Sequence, residues 1–182
     1  MTTSNELRSY GSIAKALHWI AASCVLLAWA IGSLGDDIPR TMEAPALTVH
    51  MSLGVAVLVI LALRLIWRFA SPTPAGRLSP WSDYLASISH WLLYALMAVV
   101  PVTGILLQFA RGDALSVFGL LHVASPWPTD RALAHSFKEL HEVLANALVI
   151  LAALHVAAAL FHHFILRDRT LVRMLPRRHR SQ

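Results

Sequence analysis

Residues 140–163 read LHEVLANALVILAALHVAAALFHH, almost unbroken hydrocarbon that nevertheless carries His141, His155, His162 and His163. Polar side chains are expensive in a lipid interior and are kept there for a purpose. The run exceeds the ~20 residues that an α-helix, rising 1.5 Å per residue, needs to cross a ~30 Å hydrocarbon core. Fourteen residues separate His141 from His155. That spacing rises ~21 Å and returns the helix to within ~40° of the same face. One transmembrane helix would therefore show two imidazoles to its neighbours, at two depths.

Three further apolar blocks precede it. The spans expected are roughly 15–35, 46–69, 86–109 and 138–166, in a chain of 182 residues that is 57% hydrophobic and 14% charged. Stretches such as Val55–Leu63 and Leu92–Val100 lack the polar stripe that a soluble bundle would carry. The expected fold is all-α: an integral membrane four-helix bundle, with residues 1–182 forming one transmembrane domain. The first block is too long for the core of a signal peptide, and Gly35-Asp36-Asp37 stands where a cleavage site would be, so cleavage is not expected.

Charge sets the orientation. Arg8, Lys15, Arg64, Arg68, Arg77, Arg167, Arg169, Arg173, Arg177, Arg178 and Arg180 fall on one side; Arg40, Arg111, Arg131 and Lys138 fall on the other. By the positive-inside rule both termini are expected in the cytoplasm. The net charge of +5 is then mostly an inner-face property that meets anionic lipid headgroups, with no nucleic-acid partner expected. Residues 71–80 (SPTPAGRLSP) read as a broken cytoplasmic connection, and 110–137 as the longest loop, on the outside. Within that loop ALSVFGLLHVA is apolar but too short to span, and reads as an interfacial or re-entrant helix. Pro101 inside span three predicts a kink.

Each span carries histidine: His18 in the first, His50 in the second, His90 in the third and His141 with His155 in the fourth. His50 and His141 both lie some 5–8 Å below the outer face by helix rise. His18 and His155 share a lower level, at which His90 is the competing partner. Two stacked imidazole pairs in a bundle suit two haems, each held axially from both sides. Zinc would want four clustered ligands, and the carboxylates here lie near helix ends. The single cysteine, Cys24, excludes both an internal disulfide and covalent haem attachment through C-x-x-C-H. His162 and His163 read as snorkelling residues at the inner interface, His122 and His135 as loop surface. Gly54, one turn from His50, could let a flat macrocycle approach, and Ala145 and Ala152 sit similarly beside the span-four pair; ordinary small-residue packing explains them equally well.

The chain resembles the bacterial cytochrome b561 family over nearly its whole length. The likeness rests on LHW (17–19), HMSLG (50–54) with LRLIWR (63–68), PVTG (101–104), RG (111–112), KELHE and LAN (138–146), LHVAAAL and HH (154–163), and DRTLVRMLP (168–176). It implies two haem b groups in the bacterial inner membrane, with His18, His50, His141 and His155 as axial ligands in the pairs His50–His141 (outer) and His18–His155 (inner). His90 falls on no ligand position of that pattern. The resemblance further implies single-electron transfer between the outer side and the quinone pool, in some members from superoxide to ubiquinone. The alternative it leaves is a haem-carrying anchor that passes electrons from a partner dehydrogenase or hydrogenase to quinone. If superoxide is the donor, cations should steer it. Lys138, three residues before His141, and Arg111, where span three ends, are the candidates, interfacial anchoring being their ordinary alternative use.

Overall fold

The computed structural model describes residues 11–70, 80–168 and 170–175. The expected connection at 71–79 lies outside the described residues, as do Arg8, Arg77, Arg169 and the cations beyond residue 175. Four long helices, α1 (Ser12–Ser33), α2 (Arg40–Ala70), α3 (Pro80–Ala110) and α4 (Arg131–Phe164), are each long and apolar enough to cross a membrane. They outrun the apolar blocks: α4 alone has 34 residues, about 50 Å at 1.5 Å per residue. Its first two turns, residues 131–137, were expected in the outer loop and instead extend the helix. Asp130 starts this helix by accepting a hydrogen bond from Leu133 N at 3.0 Å, an N-cap that satisfies one of the free amides of the first turn.

Helices α1 and α2 pack together, as do α3 and α4; α2 against α3, and more lightly α1 against α4, close the bundle. Its dry centre is small, built on Ala21, Val57, Leu61, Met97, Val100 and Leu148. Large apolar side chains such as Leu27, Val59, Ile66, Val143 and Ile150 face outward. Lipid is as apolar as leucine, so such a bundle is joined by close packing and inter-helix hydrogen bonds. Trp29 Nε1 supplies one, donating to Asn146 Oδ1 at 2.9 Å between α1 and α4. Pro101 is accommodated inside α3, and its Cβ lies 3.7 Å from where a Cβ on Gly54 of α2 would stand.

The loop between α3 and α4 corrects the sequence expectation. ALSVFGLLHVA forms no helix but an antiparallel hairpin, β1 (Leu115–Val117) and β2 (Leu121–Val123). The physical cause is its turn. Phe118 (φ 52°) and Gly119 (φ 67°) are both left-handed, and Leu120 N donates to Val117 O at 3.0 Å, the geometry of a tight primed turn that matches strand twist. Ser52 of α2, buried, accepts from Phe118 N at 2.7 Å and ties the hairpin to the bundle. His122 lies exposed on β2; His135, expected on a loop, lies exposed on α4 beside Glu139 at 3.3 Å.

The opposite end is closed differently. A short helix, α5 (Thr170–Met174), folds back so that Met174 O accepts from Trp19 Nε1 and Leu175 O accepts from Lys15 Nζ, both at 3.0 Å. The bundle thus has a hairpin end and a terminal end.

Candidate haem sites

At the hairpin end His50 of α2 and His141 of α4 face each other with ring centroids 6.0 Å apart. The two are held by one device used twice. His50 Nδ1 lies 2.9 Å from Ala28 O, and its Cε1 lies 3.1 Å from where a Cβ on Gly32, one turn further along α1, would be. His141 Nδ1 lies 2.9 Å from Val100 O, and its Cε1 lies 3.0 Å from where a Cβ on Gly104, one turn further along α3, would be. In each case a helix offers a carbonyl and, four residues later, a missing side chain into which the ring fits. Thr103 Oγ1 donates to Val100 O at 2.8 Å and lies 3.2 Å from His141 Nδ1.

A carbonyl can only accept, so both Nδ1 atoms carry protons and donate. Each Nε2 is left with its lone pair, the form in which imidazole binds a metal, and the carbonyl contact fixes ring orientation. A mostly apolar cavity of about 140 Å³ borders the pair, lined among others by Trp29, Gly54, Gln108, Arg111 and Ala145. These residues fit an axially held haem. A Cβ on Gly54 would make only ordinary contact with Pro101. Gly32 and Gly104, which sequence reasoning passed over, are the glycines pressed against His50 and His141. No local signal could have exposed them, because each contact runs between helices.

At the terminal end three histidines gather. The His90 and His155 rings stand 5.4 Å apart between centroids, and His18 lies near both at the same end of the bundle. His18 Nδ1 lies 3.0 Å from Arg64 Nη1. Arg64 also stands 5.8 Å over the Tyr94 ring, and Arg68 stands 5.9 Å over Trp91. His162 Nδ1 approaches Asp168 Oδ2 to 2.6 Å, and the Nδ1 of half-buried His163 has no hydrogen-bond partner among the described residues. Of the two candidate steering cations, Arg111 lines the hairpin-end cavity. Lys138 is half-exposed on α4 and pairs with Glu142 at 3.6 Å.

Paired imidazoles inside a four-helix membrane bundle, their Nδ1 protons given to backbone carbonyls, are the arrangement expected of a membrane-embedded b-type cytochrome. A profile of the prokaryotic cytochrome b561 family matches residues 9–177. The chain is 32% identical to the probable superoxide oxidase CybB of Yersinia pestis, covering 94% of this chain and 98% of that one. It is 35% identical to cytochrome b561 homolog 2 of Escherichia coli K12 (96% and 95% covered) and 31% identical to cytochrome b562 of Cereibacter sphaeroides (91% and 94%). The chain belongs to the prokaryotic cytochrome b561 family: a multi-pass membrane haem b protein of electron transfer.

Proposed function

We propose that the chain is a superoxide oxidase of the bacterial inner membrane, passing single electrons from superoxide at the hairpin end to ubiquinone. The reading has the hairpin end outside and both termini in the cytoplasm, as the distribution of Lys and Arg favours. Two haem b groups are held, one by His50 and His141 and one by His18 and His155. Haem with both axial positions filled supplies one-electron exchange through its edge, without open-site oxygen chemistry.

The chain's own residues do the rest. Ala28 O and Val100 O keep the ligand nitrogens aimed at the hairpin-end site, Gly54 leaves room for the macrocycle, and apolar lining keeps water out. Arg111 and Lys138 draw the small anion inward, since a cation at an apolar cleft raises local anion concentration. The observation that carries the reading is Arg111 on the wall of the cavity that also holds both outer ligands. The superoxide oxidase name of the Yersinia relative supports it.

The test is superoxide-driven reduction of a short-chain ubiquinone by the purified chain, followed against ionic strength. Arg111→Gln is expected to slow the reaction severalfold and flatten its salt dependence. Lys138→Gln should do less, because Glu142 already offsets that charge. No quinone-dependent turnover by a fully haem-loaded protein would replace this reading with that of an anchor subunit fed by a partner dehydrogenase or hydrogenase.

A further inference from the structure

The two cradles at the hairpin end differ in one group. His50 Nδ1 meets Ala28 O, and three places further along α1 stands Ile31, whose side chain cannot hydrogen-bond. His141 Nδ1 meets Val100 O at 2.9 Å, and three places further along α3 the Thr103 hydroxyl donates to that same carbonyl at 2.8 Å. Thr103 Oγ1 also lies 3.2 Å from His141 Nδ1, so the three atoms close a triangle, and Thr103 is buried. A helical threonine ordinarily turns its hydroxyl back onto a carbonyl one turn earlier, which accounts for the short bond alone. It does not account for the second contact, made to a side chain of another helix.

The protons of this triangle have one arrangement. Val100 O only accepts, so His141 Nδ1 carries a proton and cannot accept from Thr103. The single hydroxyl proton therefore goes to Val100 O, and Thr103 Oγ1 keeps a lone pair for Nδ1–H. The His141 proton is shared between two oxygens, where that of His50 is given to one. A single acceptor lets a ring swivel about the N–H···O line; two acceptors on different bearings hold its plane. The planes of His50 and His141 cross at 74°.

We propose that Thr103 is a positioning residue: its hydroxyl fixes the plane of the His141 ring and so keeps the two axial imidazoles of the hairpin end crossed. This rests on the reading above of His50 and His141 as ligands of one haem. Hydrogen bonds to the outer nitrogen of a ligand are among the levers by which a protein tunes haem iron. Imidazoles in parallel planes act on the same iron d orbital and split the orbital pair from which the oxidised iron lacks an electron. Crossed planes leave that pair close in energy. Thr103 thus acts on the electronic state of the iron through His141.

The experiment is low-temperature electron paramagnetic resonance of the oxidised, haem-loaded chain, with His155→Ala as background so that only the hairpin-end signal is read. That signal is expected to be the strongly anisotropic, large-g low-spin type that crossed ligands give. Thr103→Val and Thr103→Ala leave Val100 O and His141 Nδ1 bonded to each other, and should move the signal toward the rhombic type of parallel ligands. Thr103→Ser, which keeps the hydroxyl, should restore it. A rhombic signal with Thr103 in place overturns the proposal whatever the variants do, as does a large-g signal unchanged in both Thr103→Val and Thr103→Ala. Haem loss from those two variants supports it if Thr103→Ser stays loaded, and overturns it if Thr103→Ser loses haem as well. Failure of the ligand reading is distinct: the hairpin-end signal would survive His50→Ala or His141→Ala.

Discussion

The hairpin end and the terminal end solve the same problem with different materials. At the hairpin end, main-chain carbonyls and absent side chains do the positioning: Ala28 with Gly32 for one ring, Val100 with Gly104 for the other. At the terminal end side chains do it, with Arg64 on His18 and His90 against His155. Backbone acceptors on a helix are rigid, so the rings of His50 and His141 are held in one orientation, whereas a flexible arginine can turn away and leaves His18 freer.

The largest effects are expected at the proposed haem ligands. His141→Ala and His50→Ala should each halve the haem-to-protein ratio measured by pyridine haemochrome, and His155→Ala should halve it through the other site. Retention of the full Soret band in the double variant His141→Ala/His155→Ala would remove the basis of the comparison. His18→Ala against His90→Ala sharpens it, because the structure stacks His90, not His18, on His155. Loss of one haem is expected from His18→Ala and near-full loading from His90→Ala. The reverse would make His90 the axial partner and leave His18 as the seat of Arg64.

A step smaller are the glycines. A Cβ at Gly104 would stand 3.0 Å from His141 Cε1, a ring that Val100 O prevents from retreating. Overpacking of this kind costs about 1–3 kcal/mol, so Gly104→Ala should weaken haem retention at the hairpin end roughly ten-fold and leave the terminal end intact. Gly54→Ala separates protein strain from cofactor strain. The added methyl would meet Pro101 at 3.7 Å, an ordinary contact, so helix packing tolerates it. Haem loss from Gly54→Ala would therefore report a macrocycle lying against α2; full loading would reduce Gly54 to helix packing.

Much of this architecture was legible in the residues alone, because hydropathy and helix rise act at long range along one chain. The four spans, and the depths that bring His50 level with His141, follow from lengths of apolar sequence, and the structure bears out the meeting of those two rings. What escaped lies in contacts between elements. Residues 114–124 are apolar enough for a helix, and only the left-handed backbone at Phe118 and Gly119 turns them into a hairpin. Phenylalanine is a poor candidate for positive φ, so nothing local announced the turn. Gly32 and Gly104 look like any small residue of a membrane helix until the histidine of the neighbouring helix is in place. Arg64 read as one of many inner-face cations, and its contact with His18 spans two helices.

The smallest effect tests how far the two ends are independent. Ser52 is buried on α2, two residues from His50, donating to Thr48 O at 2.6 Å and accepting from Phe118 N at 2.7 Å. Leu115 of the same hairpin lines the hairpin-end cavity, so Ser52 fastens part of the cavity wall. In Ser52→Ala the Phe118 amide loses its partner, which costs about 1–2 kcal/mol, and its hydrogen exchange in nanodiscs should quicken by roughly ten-fold. The rise should stop at the hairpin. Exchange along α5, held by Lys15 and Trp19 some 30 Å away by helix rise, should stay as it was, because no described side chain joins the two closures. Faster exchange at both ends would mean that the bundle opens as one unit, and that the hairpin-end site owes its shape to the whole membrane domain rather than to the Ala28–Gly32 and Val100–Gly104 cradles.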